Sequence, residues 1–475
     1  MTTTDAPAGL AAPGADGLVQ RIEDLHDLIA KNAAQGEADR RVPQDTVDAL
    51  MAAGAFKVAV PKRYGGYETS MRTMLDVSAA VAEADGGTSW IVTLLNVCAW
   101  LTGLFPERAQ DEVFGDDPNA LVSGVLAPTA EVVRVDGGWR VTGRWYYNSG
   151  SWHATWAILG IPVTDEAGEV KDQGVALIPT SEMTVEDTWF VAGMKSSGSN
   201  CLIAQDVFVP EHRMMSVPAA IEGHYGTEFA DETFYHSALV PILALVLVGP
   251  QLGMGRAALD LVRQKAARKP ISYTFFEAQA DSVAFQLQIA EAAMLIDTAH
   301  LHAYRAADDI DRAATRGEYP DYLTRARVRA DTGYVAEKIT RAIDILLYAH
   351  GAGSFADVNP LQRIWRDSAT AARHAVVLPS SATRSTARRC SASRKRSPRW
   401  YRDPEGTAED DTAPADVRHH GRPQRGRDAG LLHPVRPAAG RRRLVQHPGR
   451  RPPAANRARA DPPPGGAAHR RGRRG

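Results

Sequence analysis

Hydrophobic and polar positions follow three successive patterns along residues 18–379. Apolar residues recur first at helical spacing, then alternate in short runs between turns, and finally return to helical spacing. The first pattern predicts helices over residues 18–29, 43–54, 71–84 and 89–104. The short runs predict strands over residues 121–123, 139–142, 156–163, 174–179 and 206–210. The last pattern predicts helices over residues 255–268, 277–316, 321–350 and 360–378.

This order predicts a mainly α protein with a central β-domain. We expect an N-terminal helical domain at residues 18–117, a small β-barrel or sandwich at 118–230, and a C-terminal four-helix bundle at 231–379. Residues 1–17 are small and polar and have no hydrophobic period, so we expect them to be disordered. We expect the same of residues 380–475, which are rich in Arg, Pro, Gly and Ala.

The formal net charge of −1 averages two very different parts of the chain. Residues 380–475 hold 24 Lys and Arg and 8 Asp and Glu, which leaves a net charge of −17 on residues 1–379. Lys395 is the one lysine among those 24 residues, a bias typical of a GC-rich gene read out of frame. With suitable codons, residues 384–400 encode EVYGKALLGVEEAITPL, an amphipathic helical sequence, in the neighbouring frame. We interpret the tail as a frameshift product, and the alternative is a genuine disordered tail that binds RNA.

Composition limits the compartment and the ligands of the protein. The three cysteines, Cys98, Cys201 and Cys390, form no CxxC pair, which suits a reducing cytoplasm and argues against a zinc site. No basic segment precedes an apolar one at the N-terminus, and the apolar run at 238–249 is too short to cross a bilayer. We therefore expect a cytoplasmic protein that binds neither a metal nor a membrane.

The segment 143–160, GRWYYNSGSWHATWAILG, holds the strongest chemical signal in the chain. Ser149 lies between two predicted strands, and Trp145, Trp152 and Trp156 flank it in sequence. A hydroxyl fixed on a rigid strand among large aromatic rings can hold one edge of a flat, conjugated ligand. The alternative is an ordinary aromatic-rich hairpin.

A set of short motifs, taken in order, gives the chain a family resemblance. They are VPxxYGG at 60–66, GxWxxxSG at 143–150, WxxxGM at 189–194, GS at 198–199, DxFVP at 206–210 and QRxWRD at 362–367. With the order of helices, β-domain and helices, they resemble the acyl-CoA dehydrogenase superfamily. Within it, the closer resemblance is to the oxygenase component of two-component flavin-dependent monooxygenases, the branch of hydroxyphenylacetate and secosteroid phenol hydroxylases. The shifted-frame peptide continues the resemblance, because this branch tends to end in a similar YExYG helix.

The resemblance implies a monooxygenase that inserts one oxygen atom from O2 into an aromatic or polycyclic small molecule through a flavin C4a-hydroperoxide. A separate NAD(P)H:flavin reductase would supply reduced FMN or FAD, since the chain has no GxGxxG motif of its own. Ser149 matches the residue that contacts flavin N5 in this branch, and Tyr147 matches an aromatic position before it. His374 matches a histidine that faces the peroxide, and Ser123 matches a small polar residue beside the substrate. The alternatives are a strand-end serine, a turn serine and a packed or surface histidine.

Four residues are candidates for the substrate pocket. Asn96 and Cys98 occupy the segment where several relatives carry a histidine that helps to deprotonate a phenol. Simple phenol activation is therefore in doubt, and an indole, a polycyclic aromatic, or a nitrogen or sulfur centre stays open. Cys98 can alternatively be a small buried hydrophobe. Trp145 and His153 are included because they lie close to Ser149 in sequence, although a strand can turn His153 away.

The resemblance also implies which residues bind the flavin phosphate. Arg268 follows Ala267 as in the family's Ala-Arg pattern, and a fixed cation there would pair with the phosphate dianion. Gln362 and Gly353 are expected near the flavin of a neighbouring subunit, since this fold usually forms a homotetramer. We interpret Arg366 and Asp367 as an internal ion pair that holds helices together.

Two other functions stay open at this stage. An acyl-CoA dehydrogenase or desaturase of the same superfamily needs a carboxylate base to take the α-proton of a thioester. The TEP and YEGT segments and the catalytic glutamate of those enzymes have no convincing counterpart in this sequence. A nucleic-acid-binding protein would rely on the Arg-rich tail, but phosphate binding requires a basic surface and residues 1–379 are acidic. The oxygenase is the leading hypothesis.

Overall fold

The computed structural model describes residues 16–165, 169–229 and 231–378. Our predictions for residues 1–15 and for the basic tail lie outside these ranges. The described residues form twelve α-helices: α1 (Leu18–Glu23), α2 (His26–Asp39), α3 (Gln44–Ala53), α4 (Met71–Ala84), α5 (Gly86–Thr102), α6 (Glu107–Phe114), α7 (Val217–Ile221), α8 (Leu239–Leu245), α9 (Gly249–Ala266), α10 (Val283–Thr315), α11 (Tyr322–His350) and α12 (Pro360–Ala371). They also form eight strands: β1 (Val122–Val125), β2 (Glu131–Val135), β3 (Gly138–Asn148), β4 (Trp156–Thr164), β5 (Val170–Pro179), β6 (Thr184–Glu186), β7 (Asn200–Pro210) and β8 (Met214–Ser216). The predicted order of helices, β-domain and helices is confirmed.

Side-chain caps decide where the central helices of the N-terminal part begin. α4 has the predicted bounds, and the Ser70 hydroxyl accepts a hydrogen bond from Thr73 N at its start. α5 begins at Gly86 instead of residue 89, because the Asp85 carboxylate accepts a hydrogen bond from Thr88 N at 2.8 Å. The apolar residues of α5 are buried almost all round, so this helix forms the centre of the N-terminal core.

Two four-stranded sheets pack face to face as a sandwich, with strand orders β1-β4-β5-β8 and β2-β3-β7-β6. Large side chains fill the space between them: Trp139, Val141, Trp145, Leu159, Ile161, Ile178 and Leu202. β3 extends well beyond the predicted 139–142, because inward and outward side chains alternate through Trp145. A bulge after Trp145 interrupts the pairing with β7 and places Tyr147 at a φ of 67°. Ser149 therefore follows the end of the strand instead of lying on it.

The C-terminal helices α9 to α12 form a bundle, and α9 also packs on α4. Gly253 permits this close approach, since a Cβ atom there would lie 2.0 Å from the carbonyl oxygen of Ala79. The helical stretch Leu239–Ala266 is long and apolar enough to cross a membrane by length and composition alone, but 78% of its most apolar window is buried inside the protein. That burial is the pattern of a core helix.

Candidate functional site

Ser149 lies where the N-terminal helices meet the β-domain. Its side chain is buried, and its hydroxyl oxygen accepts a hydrogen bond from Trp90 Nε1 on α5 at 3.0 Å. Ser199 Oγ lies 2.8 Å from the same oxygen. Trp90 therefore forms the aromatic wall of this site. Sequence reasoning missed it because Trp90 lies on another element, although a buried indole N–H that needs an acceptor is a usable signal.

A chain of three hydroxyls fixes the direction of the hydrogen bonds at Ser149. Ser197 Oγ donates to the Met194 carbonyl oxygen at 2.8 Å, since a carbonyl can only accept. Ser199 Oγ, 2.7 Å from Ser197 Oγ, must then donate to Ser197, and Ser149 must donate to Ser199. The Ser149 oxygen uses one lone pair for the Trp90 indole. Its second lone pair has no partner among the described residues and can accept a hydrogen bond from a ligand.

His374 faces Trp90 from beyond the end of α12. The centroids of the two rings are 6.1 Å apart. His374 as a whole residue is exposed, whereas desolvation of its imidazole, followed by the charge of Arg329, lowers the ring's pKa to about 4. We refer to the space beside the Ser149, Trp90 and His374 side chains as the cleft. The structure thus brings Ser149 and His374 together around one indole, with a neutral imidazole near pH 7.

The predicted substrate residues on α5 and β1 are buried. Asn96 Nδ2 donates to two backbone carbonyls at 2.7 and 2.9 Å, and its Oδ1 is buried without a hydrogen-bond partner in the described chain. Burial raises the pKa of the Cys98 thiol to about 12, so this group stays neutral. Ser123 is fully buried, and its Oγ lies 3.4 Å from the carbonyl oxygen of Trp156. Cys98 packs against Gly124 of β1 as a small buried group.

Trp145 and Tyr147 lie away from the Ser149 hydroxyl. Trp145 is fully buried inside the sandwich, and its indole donates to the Gly160 carbonyl at 2.8 Å. Trp145 is thus a core residue of the β-domain and does not wall the cleft, which corrects our prediction. Tyr147 is 74% exposed and packs edge-on against Trp189, because the bulge turns it outward.

His153 faces the connection between α2 and α3. Burial, followed by the charge of Arg41, lowers its pKa to about 4, and a backbone hydrogen bond to Val42 opposes this shift. Its Nε2 atom is buried without a hydrogen-bond partner in the described part of the chain. The Arg41 guanidinium also lies 5.7 Å from the ring centroid of Trp152. His153 therefore belongs to a contact between the β-domain and the N-terminal helices.

Asn148 carries a signal that sequence reasoning missed. It is fully buried next to Ser149, and neither Nδ2 nor Oδ1 has a hydrogen-bond partner among the described residues. A buried polar group without a partner costs about 1–3 kcal/mol. A bound molecule or a water is expected to satisfy this amide, so we include Asn148 among the candidate ligand contacts.

A basic groove lies at the opposite end of the helical bundle. Its volume is about 510 Å³, and it is lined by Gln264, Lys265, Arg268, Lys269, Pro270, His350 and Gly353. The structure thus brings Arg268 and Gly353 together, two of the residues assigned to flavin binding from the sequence. Lys265 and Lys269 add two cations that sequence reasoning did not assign. This donor set suits a phosphate group.

The hydrogen-bond network around Asn359 fixes the tautomer of His350 in this groove. Asn359 Oδ1 accepts from Leu361 N at 3.1 Å, so its Nδ2 donates to the Gly353 carbonyl at 2.8 Å and to His350 Nε2 at 3.0 Å. Burial and the charges of two neighbouring lysines lower the pKa of His350 to about 4. The neutral ring then carries its hydrogen on Nδ1, which is buried without a partner in the described chain.

Gln362 and Arg366 bind to each other on α12, where Arg366 Nε donates to Gln362 Oε1 at 2.7 Å. Arg366 also pairs with Glu37 of α2 and donates to the Ala192 carbonyl. Asp367 points into the core, because consecutive side chains on a helix are rotated by about 100°. The predicted ion pair between Arg366 and Asp367 is therefore replaced by a pair between Arg366 and Glu37.

Comparisons with known proteins agree with this architecture. Residues 23–114 match the family model "Acyl-CoA dehydrogenase, N-terminal domain", and residues 245–379 match "Acyl-CoA dehydrogenase, C-terminal domain". The flavin-dependent monooxygenase oxygenase subunit HsaA of Mycobacterium tuberculosis is 33% identical over 364 residues, which cover 76% of this chain and 92% of HsaA. The chain belongs to the flavin-dependent monooxygenase oxygenase components with an acyl-CoA dehydrogenase-like fold. The resemblance inferred from the motifs is confirmed.

Two further relatives support this family assignment. The oxygenase component of p-hydroxyphenylacetate 3-hydroxylase from Acinetobacter baumannii is 30% identical over 361 residues, 75% of this chain and 85% of that protein. The structure of XiaF from Streptomyces sp. in complex with FADH2 and glycerol matches with a TM-score of 0.76 and 36% identity, over 80% of this chain and 96% of XiaF. In the described part of this family member, no group of three or more His, Cys, Asp or Glu side chains could hold a metal ion.

Proposed function

We propose that this chain uses reduced flavin and O2 to insert one oxygen atom into an aromatic or polycyclic small molecule. The observation that carries the proposal is the second lone pair of Ser149 Oγ, which Trp90 and Ser199 hold in an accepting direction. N5 of a reduced flavin carries a hydrogen and N5 of an oxidised flavin does not, so this acceptor fits the reduced form. The relatives named above are monooxygenases or hydroxylases, in agreement with the proposal.

Bound reduced flavin would supply the electrons that activate O2. Ser149 Oγ would accept a hydrogen bond from the N5–H group and hold that hydrogen in place. Trp90 and the apolar residues of α5 would exclude water. Val376 N donates to His374 Nδ1 at 3.3 Å, so the neutral His374 ring carries its hydrogen on Nε2. His374 would thus offer a hydrogen-bond donor beside the indole of Trp90.

The basic groove would hold the flavin phosphate of a neighbouring subunit. The groove lies near the start of α12, and His374 lies beyond the end of this helix. The 12 residues of α12 span about 18 Å. α9 gives a similar separation, because Met254 contacts the start of α5 while Arg268 lies beyond the other end of α9. The ribityl arm of a flavin spans only about 9 Å at standard bond lengths. Both helices are longer than the ribityl arm, and this supports a site shared between subunits.

An exposed apolar stripe supports the same assembly. Val283, Leu287, Met294 and Leu301 lie on one face of α10, and each is about two-thirds exposed. Exposed apolar stripes of this kind mark protein interfaces. We therefore propose a homotetramer, the assembly usual for this fold, in which a second copy of the chain covers α10.

The proposal includes a separate NAD(P)H:flavin reductase and a cytoplasmic location. The sequence has no dinucleotide-binding motif, so reduced flavin has to come from a partner. Cys98 and Cys201 are free and buried, as expected in a reducing compartment. The cations of the groove suit both FMN and FAD, so titration with each flavin is needed to identify the cofactor.

The direct test mixes anaerobically reduced FMN or FAD with the protein and then with O2. We expect a long-lived absorbing species that is neither reduced nor oxidised flavin, followed by reoxidation. Ser149→Ala should shorten its lifetime by about tenfold or more, since a hydrogen bond in a dry site is lost. Thr332→Val is the control, because the Thr332 hydroxyl is also buried but donates to the Val328 carbonyl within α11. Immediate reoxidation by the wild type, with reduction of bound flavin by an acyl-CoA, would instead support a dehydrogenase.

A further inference from the structure

We propose that Asp85 and Asp367 form a buried carboxyl pair that shares one proton and positions the Ser149 hydroxyl through residues 194–199. Their hydrogen bonds and ion pairs go to Thr88, Ser196, Arg363 and Met194 and not to Ser149 or Trp90, so they act as positioning residues. The inference rests on the proposed function, because its readout is reduced-flavin binding at Ser149.

Asp85 joins three parts of the structure at the start of α5. It is buried, and its Oδ2 accepts hydrogen bonds at 2.8 Å from both N and Oγ1 of Thr88. Ser196 Oγ lies 3.5 Å from the same oxygen, and Arg363 Nε of α12 lies 3.5 Å from Oδ1. A Cβ atom at Gly87 would lie 2.0 Å from Ser196 Oγ, so glycine is needed for this approach. Asp85 therefore connects α5, the helix that carries Trp90, to residues 194–199, which we call the serine segment.

Asp367 binds the first residue of the serine segment, Met194. Its Oδ1 accepts a hydrogen bond from Met194 N at 2.5 Å. Met194 has a φ of 57°, a conformation that disfavours side chains and that surrounding contacts must hold. A Cβ atom at Gly193 would lie 2.1 Å from the Arg366 carbonyl oxygen, so the chain lies directly against α12. A Cβ atom at Gly86 would lie 3.4 Å from the Asp367 Cβ, so Asp367 packs against the residue that follows Asp85, and the charge of Asp85 acts on the Asp367 carboxyl.

The charges around the pair favour one shared proton. Arg366 is paired with Glu37 of α2, and Lys195 lies 3.5 Å from the same carboxylate. Arg363 pairs with Asp85, and its charge also acts on Asp367. Burial, followed by the neighbouring carboxylate, raises the pKa of Asp367 to about 7. Two buried carboxylates beside one cation cannot both ionise at low cost.

Loss of the shared proton would disturb the hydroxyl chain at Ser149. Two like charges would then repel each other beside Met194 and Ser196. Ser197 donates to the Met194 carbonyl, and Ser199 donates to Ser197, so a shift of Met194 passes along the hydroxyls to Ser149. The lone pair of Ser149 would then be turned away from its ligand as the pH rises through about 7.

The test measures the dissociation constant of anaerobic reduced FMN by fluorescence across pH 6 to 9. Wild-type affinity should weaken by up to about tenfold per pH unit above the pKa of the pair, as expected for one required proton. Asp367→Asn retains an acceptor for Met194 N but cannot ionise, so its affinity should change much less. Reduced flavin also titrates near neutral pH, and the difference between the two proteins removes that contribution. Parallel pH profiles for both proteins would overturn the proposal.

Asp311→Asn is the matched control. Asp311 also accepts backbone hydrogen bonds, from Met71 N at 2.8 Å and Arg72 N at 3.1 Å, and burial raises its pKa. It does not contact residues 194–199, so this variant should follow the wild-type profile. If Asp367→Asn is not obtained folded, Asp85→Asn tests the pair from its other member, with the same flat profile expected. Failure of the wild type itself to bind reduced flavin would instead contradict the proposed function.

Discussion

Trp90 and Ser149 share a hydrogen bond of 3.0 Å although 59 positions separate them in the sequence. The bond joins the central helix of the N-terminal domain to the end of β3. The packing of these two domains therefore helps to set the position of the Ser149 hydroxyl. The site lies at the interface between the N-terminal helices and the β-domain, so substitutions on either side of this interface test it.

Replacing Trp90 with Phe retains an aromatic ring but removes the donor to Ser149. A neutral hydrogen bond contributes about 0.5–1.5 kcal/mol, so we expect a comparable loss of unfolding free energy and roughly threefold to tenfold weaker binding of reduced flavin. Equilibrium unfolding and fluorescence titration measure the two effects. Unchanged affinity for reduced flavin would show that the indole does not orient the hydroxyl.

Mixed oligomers test whether the basic groove serves a neighbouring subunit. Ser149→Ala and Arg268→Ala should each weaken flavin binding in homogeneous preparations, since each removes a contact to the ring or to the phosphate. When both variants are co-expressed with different tags, some sites combine the native Ser149 of one chain with the native Arg268 of the other. We expect flavin binding to return in these oligomers. Arg263→Ala is the control, because Arg263 contacts Asp260 on the same helix. No recovery would place both residues in one chain's site.

His153 should make the protein less stable in acid. Its pKa of about 4 in the folded state lies below the ordinary value of 6.5, so the unfolded chain binds more protons between these values. Stability from this group is therefore present above pH 6.5 and lost as the pH falls towards 4, by up to about 3 kcal/mol. His153→Gln should flatten urea-unfolding free energies over this range. An unchanged slope would mean that His153 titrates normally in the folded state.

Gly193→Ala should destabilise the serine segment, since the added Cβ would lie 2.1 Å from the Arg366 carbonyl oxygen. Overpacking of a rigid contact costs about 1–3 kcal/mol or more. We expect a lower melting temperature and weaker binding of reduced flavin. Gly353→Ala is the stability control, because the nearest atom to a Cβ there is Lys269 Nζ at 4.0 Å. Equal melting temperatures for the two variants would contradict the close contact.

Capping side chains determine where the helices α4 and α5 begin, and the sequence predicted this start correctly for one of the two. α4 has the predicted bounds because Ser70 caps it, whereas α5 starts earlier than predicted because the cap of Asp85 outweighs the low helix propensity of two glycines. β3 was underestimated, since its outward aromatic residues hide the alternation.

The candidate site was predictable only where family motifs mark it. Ser149, His374, Arg268 and Gly353 came from matched positions, and the structure groups them into a cleft and a groove. Trp90, Asn148 and the Asp85–Asp367 pair depend on contacts between distant segments. A single sequence does not encode such pairings in any local pattern. Trp145 was misplaced because strand alternation, not proximity in sequence, decides which side it faces.

The three-serine chain ends on the carbonyl oxygen of Met194, and this gives the chain a fixed polarity. A row of hydroxyls that stops at a group unable to give up a hydrogen has one orientation only. Such a row cannot relay protons inward from Met194 to Ser149. The titratable ring beside the Trp90 indole is His374, so we expect protons consumed during turnover to enter on its side.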